Sequence, residues 1–262
     1  MNRSLRRHRR DWEDLGDLDP CWAVLAYPER RFGRWDHGEF FRSGEAEIAR
    51  LMVDIQHLGY PVRRERALDF GCGVGRLTRA LAPHFRHCHG VDVSAPMIAA
   101  AGKLNAEFSN CEFVLNGHPD LRIFPDGHFN LIYSVLVLQH LPTRAAIAAY
   151  VADFARVLAP GGLLACQIPS HIPLRRRLQL RRRLYGILRS LGVGPRVLYY
   201  RLGLFPMRMT SLAEQDVRAL LATAGARVLE ARADAMASTA IDSRTYYVTK
   251  PERRAGPGEP AS

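Results

Sequence analysis

Residues 67–75 read Ala67-Leu68-Asp69-Phe70-Gly71-Cys72-Gly73-Val74-Gly75, and a second apolar run further on closes with Asp92. Ala67, Leu68 and Phe70 form the kind of apolar run that builds a buried parallel strand, with Asp69 near its carboxyl end. Gly71, Gly73 and Gly75 occupy alternate positions and predict a tight turn into a helix that starts near Arg76. Glycine accepts positive φ and has no Cβ to hold a ligand off the backbone. In open α/β sheets, ligands settle outside the carboxyl ends of the strands, beside such a turn. Asp92 lies in the run Gly90-Val91-Asp92-Val93, where its two oxygens can accept both hydroxyls of a ribose.

The spacing narrows the ligand. Dinucleotide-binding turns read G-x-G-x-x-G, whereas this one reads G-x-G-x-G. A pyrophosphate needs N–H donors and a helix N-terminus, and a carboxylate two residues before the first glycine repels it. An acid there suits a positive centre, such as an α-amino group or a sulfonium. A nicotinamide-dependent oxidoreductase is therefore the weaker alternative.

Outward from this turn, strands and helices alternate with short links. Ser94-Ala95-Pro96 supplies an N-cap and an early proline for a helix. Cys111–Leu115 reads as a third strand and Phe129–Leu138 as a long central one. Thr143–Leu158 reads as a helix, Pro160-Gly161-Gly162 as a loop, and Leu163–Ile168 as a fifth strand. Thr210-Ser211 caps a helix through Ala224, stopped by Gly225, before two last strands at Arg227–Arg232 and Arg244–Thr249. This alternation predicts an α/β, doubly wound, largely parallel sheet. The domain reading is a helical, aromatic-rich N-terminal cap over 1–62, with its clear helical pattern from about Ser43 to Leu58. A core over 63–170 follows, then an insert over 171–209, the rest of the core over 210–250, and a disordered tail over 251–262.

Asp69-Phe70-Gly71-Cys72-Gly73-Val74-Gly75 resembles motif I of the class I S-adenosylmethionine-dependent methyltransferases. Val91-Asp92-Val93-Ser94 with Met97 resembles the motif after it, and Leu158-Ala159-Pro160-Gly161-Gly162 resembles motif III. The resemblance implies a Rossmann-like seven-stranded sheet of order 3-2-1-4-5-7-6, its last strand antiparallel, and S-adenosyl-L-methionine as cofactor. It also implies cofactor contacts at Asp69, Gly71, Cys72, Gly73, Gly75, Asp92, Val93 and Met97. Further contacts fall at Asn116-Gly117, Ser134, Val135 and Gln139. Two positions depart from the pattern. Asn116-Gly117 replaces an acidic residue that meets the adenine amino group, and Asn130 stands where an aspartate is common. An asparagine carbonyl can still accept that hydrogen bond.

The expected reaction is in-line methyl transfer, most readily to an oxygen of a small or lipid-linked acceptor. Alignment is the enzyme's main task in such a displacement. A hydroxyl nucleophile also gains from a neutral base, for which His140, after the fourth strand, is the candidate. His171 is the second candidate. His84, His87, Cys88 and His89 match no standard metal spacing, so no metal is expected.

Five scattered cysteines, without a C-x-x-C, point to reduced thiols in a cytoplasm. The arginine-rich start runs into Asp11-Trp12-Glu13-Asp14, which argues against a secretory signal core. The formal charge is +11, and it is concentrated. No acid occurs between Asp153 and Glu214, and ten arginines lie within 171–213. The other 27 basic residues nearly balance 26 acidic ones. Leu174, Leu178, Leu180, Leu184, Tyr185, Ile187, Leu188 and Leu191 cover about half of a helical wheel. The leading expectation is a cap over the acceptor with a solvated arginine face. An anionic membrane surface, giving a peripheral membrane protein, ranks second. RNA or protein methylation through this basic segment ranks third.

Overall fold

The computed structural model describes residues 3–236 and 240–251. Ten helices or strands come first: α1 (Arg3–Leu18), α2 (Pro20–Val24), α3 (His37–Leu58), β1 (Arg66–Phe70), α4 (Arg76–Leu81), β2 (His87–Asp92), α5 (Ala95–Leu104), β3 (Cys111–Leu115), β4 (Phe129–Ser134) and α6 (Arg144–Val157). Then follow β5 (Leu158–His171), α7 (Leu174–Arg177), α8 (Leu180–Ser190), α9 (Glu214–Thr223), β6 (Arg227–Asp234) and β7 (Asp242–Thr249). The strands form one sheet of order β3-β2-β1-β4-β5-β7-β6. The first five are parallel, and β7 runs antiparallel to both neighbours.

Pairing and pleat explain the two cores. Ala67 aligns with Leu131, which aligns with Leu163, and this row packs on α3 and α4 through Ile48, Leu51, Leu77 and Leu81. The next row, Leu68, Ile132 and Leu164, faces the other way, toward Ile147, Val151, Val217 and Leu221 of α6 and α9. Alternation along a strand thus feeds both faces of the sheet from consecutive apolar residues. A third cluster joins Leu15, Trp22, Phe40 and Phe41 of the N-terminal segment to Val74 and Met97 of the core. The N-terminal segment therefore roofs the glycine turn.

Several boundaries differ from the sequence expectations. β4 ends at Ser134, because Leu136 takes φ 62° and Leu138–His140 coils into a 3-10 turn. Pro160-Gly161-Gly162 is not a separate loop but an irregular stretch of β5, where the β4–β5 register shifts and Gly161 takes φ 69°. α3 starts six residues earlier than Ser43, because Asp36 accepts the Glu39 N–H and caps it. α9 begins only at Glu214. Thr210 caps nothing; its N–H reaches the Gln139 carbonyl and its hydroxyl the Leu141 carbonyl, both at 2.7 Å.

The insert is not one helix. Gln179 adopts φ 46° and breaks it into α7 and α8, its amide donating to the Met209 carbonyl at 2.7 Å. The expected solvated arginine face is also only partly found. Arg189 turns inward to Asp14 of α1 at 3.2 Å, and Tyr185 donates to the same carboxylate. Among the described residues, no helix is long and apolar enough to cross a membrane. The tail expected to be disordered lies outside the described residues except for Pro251, which is exposed.

Candidate cofactor cavity and active site

The carboxyl ends of β1, β2 and β4 open into a cleft of about 1110 Å³, its open mouth included. Its floor is the glycine turn. Gly71 and Gly73 have φ 79° and 53°, and a Cβ on either would overlap Val137 or Val24. The turn is held by backbone bonds from Gly71 and Cys72 to the Val91 carbonyl, 2.7 and 3.0 Å.

Asp92 braces the same turn. One carboxylate oxygen accepts the Gly73 N–H at 3.0 Å and the other accepts the Ser94 N–H at 2.9 Å. Burial raises its pKa, and these backbone donors oppose the rise. Asp69 is 2% exposed and accepts the Thr78 hydroxyl at 2.7 Å. Burial pushes its carboxyl up to about 7, against the Thr78 hydrogen bond and the Arg76 guanidinium. Burial thus raises the pKa of both acids of the cleft.

Asp69, Gly71, Cys72, Gly73, Asp92, Val93, Met97, Asn116, Gly117, Val135 and His140 all line this one cleft. Asn116 is tied up locally: its side-chain carbonyl accepts the His118 N–H at 3.0 Å and its amide donates to Asp120. Gly75, Ser134 and Gln139 are not among the lining residues. Gly75, at φ 82°, lets Asn105 and Phe113 pack close to the start of α4. The Ser134 hydroxyl donates to the Phe70 carbonyl at 3.2 Å and so ties β4 to β1. The Gln139 amide nitrogen lies 3.2 Å from Nε2 of His140.

His140 Nδ1 is 2.5 Å from the Arg208 carbonyl. A carbonyl only accepts, so Nδ1 carries the hydrogen and Nε2 keeps the lone pair. Burial lowers its pKa to about 4, partly offset by that carbonyl. The imidazole is therefore neutral at physiological pH. His171, the second candidate, sits exposed at the end of β5 beside Asp242, away from the cleft. Among the described residues, no group of three or more His, Cys, Asp or Glu side chains is placed to hold a metal.

The reading of 1–62 as a cap did not single out the side chains of α1 that line the cleft. Leu5, His8 and Trp12 of α1 line the cleft, and Trp12 packs on His140 with ring centroids 5.2 Å apart. Burial first, then His140, lowers the His8 pKa to about 3. The i, i+3, i+4 spacing of Leu5, His8, Trp12 and Leu15 was the available signal for one inward face. Arg76 and Tyr150 also line the cleft. Arg76 is fixed by Glu47 at 2.7 Å, and Glu47 accepts the Tyr133 hydroxyl at 3.0 Å.

The 3-2-1-4-5-7-6 sheet, with Asp69 before the glycine turn and Asp92 ending β2, is the arrangement that the resemblance to class I S-adenosylmethionine-dependent methyltransferases implies. Residues 67–162 match the methyltransferase domain family. Trans-aconitate 2-methyltransferase of Deinococcus radiodurans is 32% identical over 139 residues, 52% of this chain and 50% of that one. The 2-methyl-6-phytyl-1,4-hydroquinone methyltransferase of Synechocystis is 33% identical over 98 residues, 37% of this chain and 30% of that one. The chain thus spans half or less of these relatives' length. Magnesium protoporphyrin IX methyltransferase from Synechocystis, solved with bound SAH, shares the fold at TM-score 0.60 and 20% identity. That likeness covers 94% of this chain and 99% of that one.

Proposed function

We propose that the cleft binds S-adenosylmethionine and that the chain transfers its methyl group to a hydroxyl oxygen of a small or lipid-linked acceptor. The observation that carries this reading is that His140, neutral and with Nε2 unprotonated, shares one cleft with Asp69, Asp92 and the glycine turn. The residues fit the cofactor. Asp92 would take the ribose hydroxyls, Asp69 the cationic methionyl end, and Met97 with Asn116-Gly117 the adenine. The bare backbone of Gly71 and Gly73 leaves room beside them. When bound, the cofactor supplies an electrophilic methyl on a sulfonium. The chain's own part is to exclude water with α1 and to align the acceptor hydroxyl on His140 Nε2, in place of the Gln139 amide. The relatives named for small acceptors support an acceptor of that size. The scattered cysteines support a cytoplasmic setting.

Two measurements test the reading. His140→Ala lowers turnover of a hydroxyl acceptor by about a hundredfold, while S-adenosylhomocysteine affinity stays within about threefold. S-adenosylhomocysteine release is followed across a panel of phenols, alcohols, carboxylates and amines. Turnover confined to carboxylates or amines, or indifferent to the substitution, overturns it.

The second measurement concerns pH. Asp69 titrates near 7 in the fold, above its ordinary 3.8. Between those values the folded chain holds a proton that the unfolded chain has released, so this group's stabilisation is lost as pH rises toward 7. A cationic ligand selects the ionised carboxylate, so its binding expels that proton. Affinity for S-adenosylmethionine is expected to be about tenfold weaker at about pH 6 than at about pH 8. Calorimetry in two buffers counts the released proton. A flat profile in the native chain, or one that Asp69→Asn leaves unchanged, removes Asp69 from the cationic contact.

A further inference from the structure

α8 is turned the opposite way from most surface helices. Leu180, Leu184, Ile187 and Leu191 recur at i, i+4, i+7 and i+11 and so share one face. That face points to solvent, with Leu180, Ile187 and Leu191 exposed by 67, 57 and 74%. The inward side makes the contacts: Arg189 and Tyr185 bond Asp14 of α1, Arg182 lies near Asp11, and Tyr185 and Leu188 pack with Leu198 and Leu204. The stripe extends onto Leu174 and Leu178 of the preceding turn, also exposed.

Scattered exposed leucines are ordinary, but a contiguous stripe marks a surface that another phase or molecule covers. Its border identifies which. Arg175, Arg176, Arg177, Arg181 and Arg183 are exposed around it, and no acid occurs between Asp153 and Glu214. An apolar stripe bordered by guanidinium groups, with no acid in its own segment, complements a bilayer surface, with acyl chains under the leucines and anionic headgroups against the arginines. It does not complement a second copy of itself, which would set arginine against arginine. We infer that α7 and α8 dock this protein on anionic membranes through the exposed leucine stripe and its arginine rim. Docking lays the bilayer one helix away from the cleft, because α8 rests on α1 and α1 roofs it.

The test is flotation of the full chain with vesicles of phosphatidylcholine alone or mixed with phosphatidylglycerol. The native chain is expected to float with the mixed vesicles and not with the neutral ones. Leu184→Glu with Ile187→Glu, both at exposed positions, is expected to reduce the bound fraction by tenfold or more, on the order of what loss of two inserted side chains gives. Replacing Arg175, Arg176 and Arg177 by Gln weakens binding by roughly fivefold per arginine. S-adenosylhomocysteine affinity, unchanged in all variants, certifies the fold and separates this outcome from failure of the cofactor reading. No flotation at low salt overturns the inference. So does flotation that the glutamates do not reduce, or a native dimer in sedimentation that Leu184→Glu dissociates.

Discussion

Asp92→Ala is expected to weaken S-adenosylhomocysteine binding by about a hundredfold, through loss of about 3 kcal/mol of charge-assisted hydrogen bonding. The reason is double. Asp92 is the acid proposed above to accept the ribose hydroxyls, and it also holds the turn by accepting the Gly73 and Ser94 N–H groups. Alanine leaves both donors to water and lets the turn relax away from the shape the ligand needs. Asparagine is no rescue, since its amide sets N–H against one of two backbone N–H groups. Its affinity falls between the two. Calorimetry on the three proteins checks the order, and unchanged affinity in the alanine variant would sink the cofactor assignment itself.

The largest effect on stability is expected at Arg76. Its side chain is 3% exposed and pairs at 2.7 Å with Glu47, itself 15% exposed. The other Glu47 oxygen accepts the Tyr133 hydroxyl, and Ser43 lies 3.3 Å from the guanidinium. α3, α4 and β4 therefore meet at one buried charge pair. Arg76→Met leaves the Glu47 carboxylate buried with a phenol alone, at a cost of about 3–5 kcal/mol. For a chain of this size that lowers the melting temperature by roughly 6–20 °C. Adding Glu47→Met removes the stranded charge and is expected to recover most of the loss. A melt of Arg76→Met within about 2 °C of the native protein would show that the pair contributes nothing. The substitution also removes a cation that holds Asp69 down, so the pH midpoint of ligand binding moves up.

Legibility followed the range of the interactions. The strand, turn and helix at 66–81 were readable because backbone periodicity and the glycine φ requirement act over a few residues. The three glycines nonetheless read alike in sequence, whereas Gly75 serves packing against Asn105 and Phe113, which follow it by thirty residues or more. α9 does not start at its expected Thr210 cap: Thr210 instead donates its N–H and hydroxyl to the Gln139 and Leu141 carbonyls, which hold it away from a helix N-terminus. His140 was readable as a candidate base by residue type alone. Its tautomer is set by the Arg208 carbonyl, 68 residues away, and its depressed pKa by burial, which that carbonyl opposes.

The insert shows the same division most sharply. Its apolar and basic periodicities were plain, but which face meets water was decided by Asp14 on α1, which draws Arg189 and Tyr185 inward. From the sequence alone came the sheet, the glycine turn with its two acids, and the class of ligand these admit. These rest on local spacing and on alternation that a single strand or helix obeys by itself. The tertiary structure decided the roof of the cleft, the state of His140 and the outward leucines of α8. Each depends on which distant groups remove water from a side chain, and no local pattern encodes that.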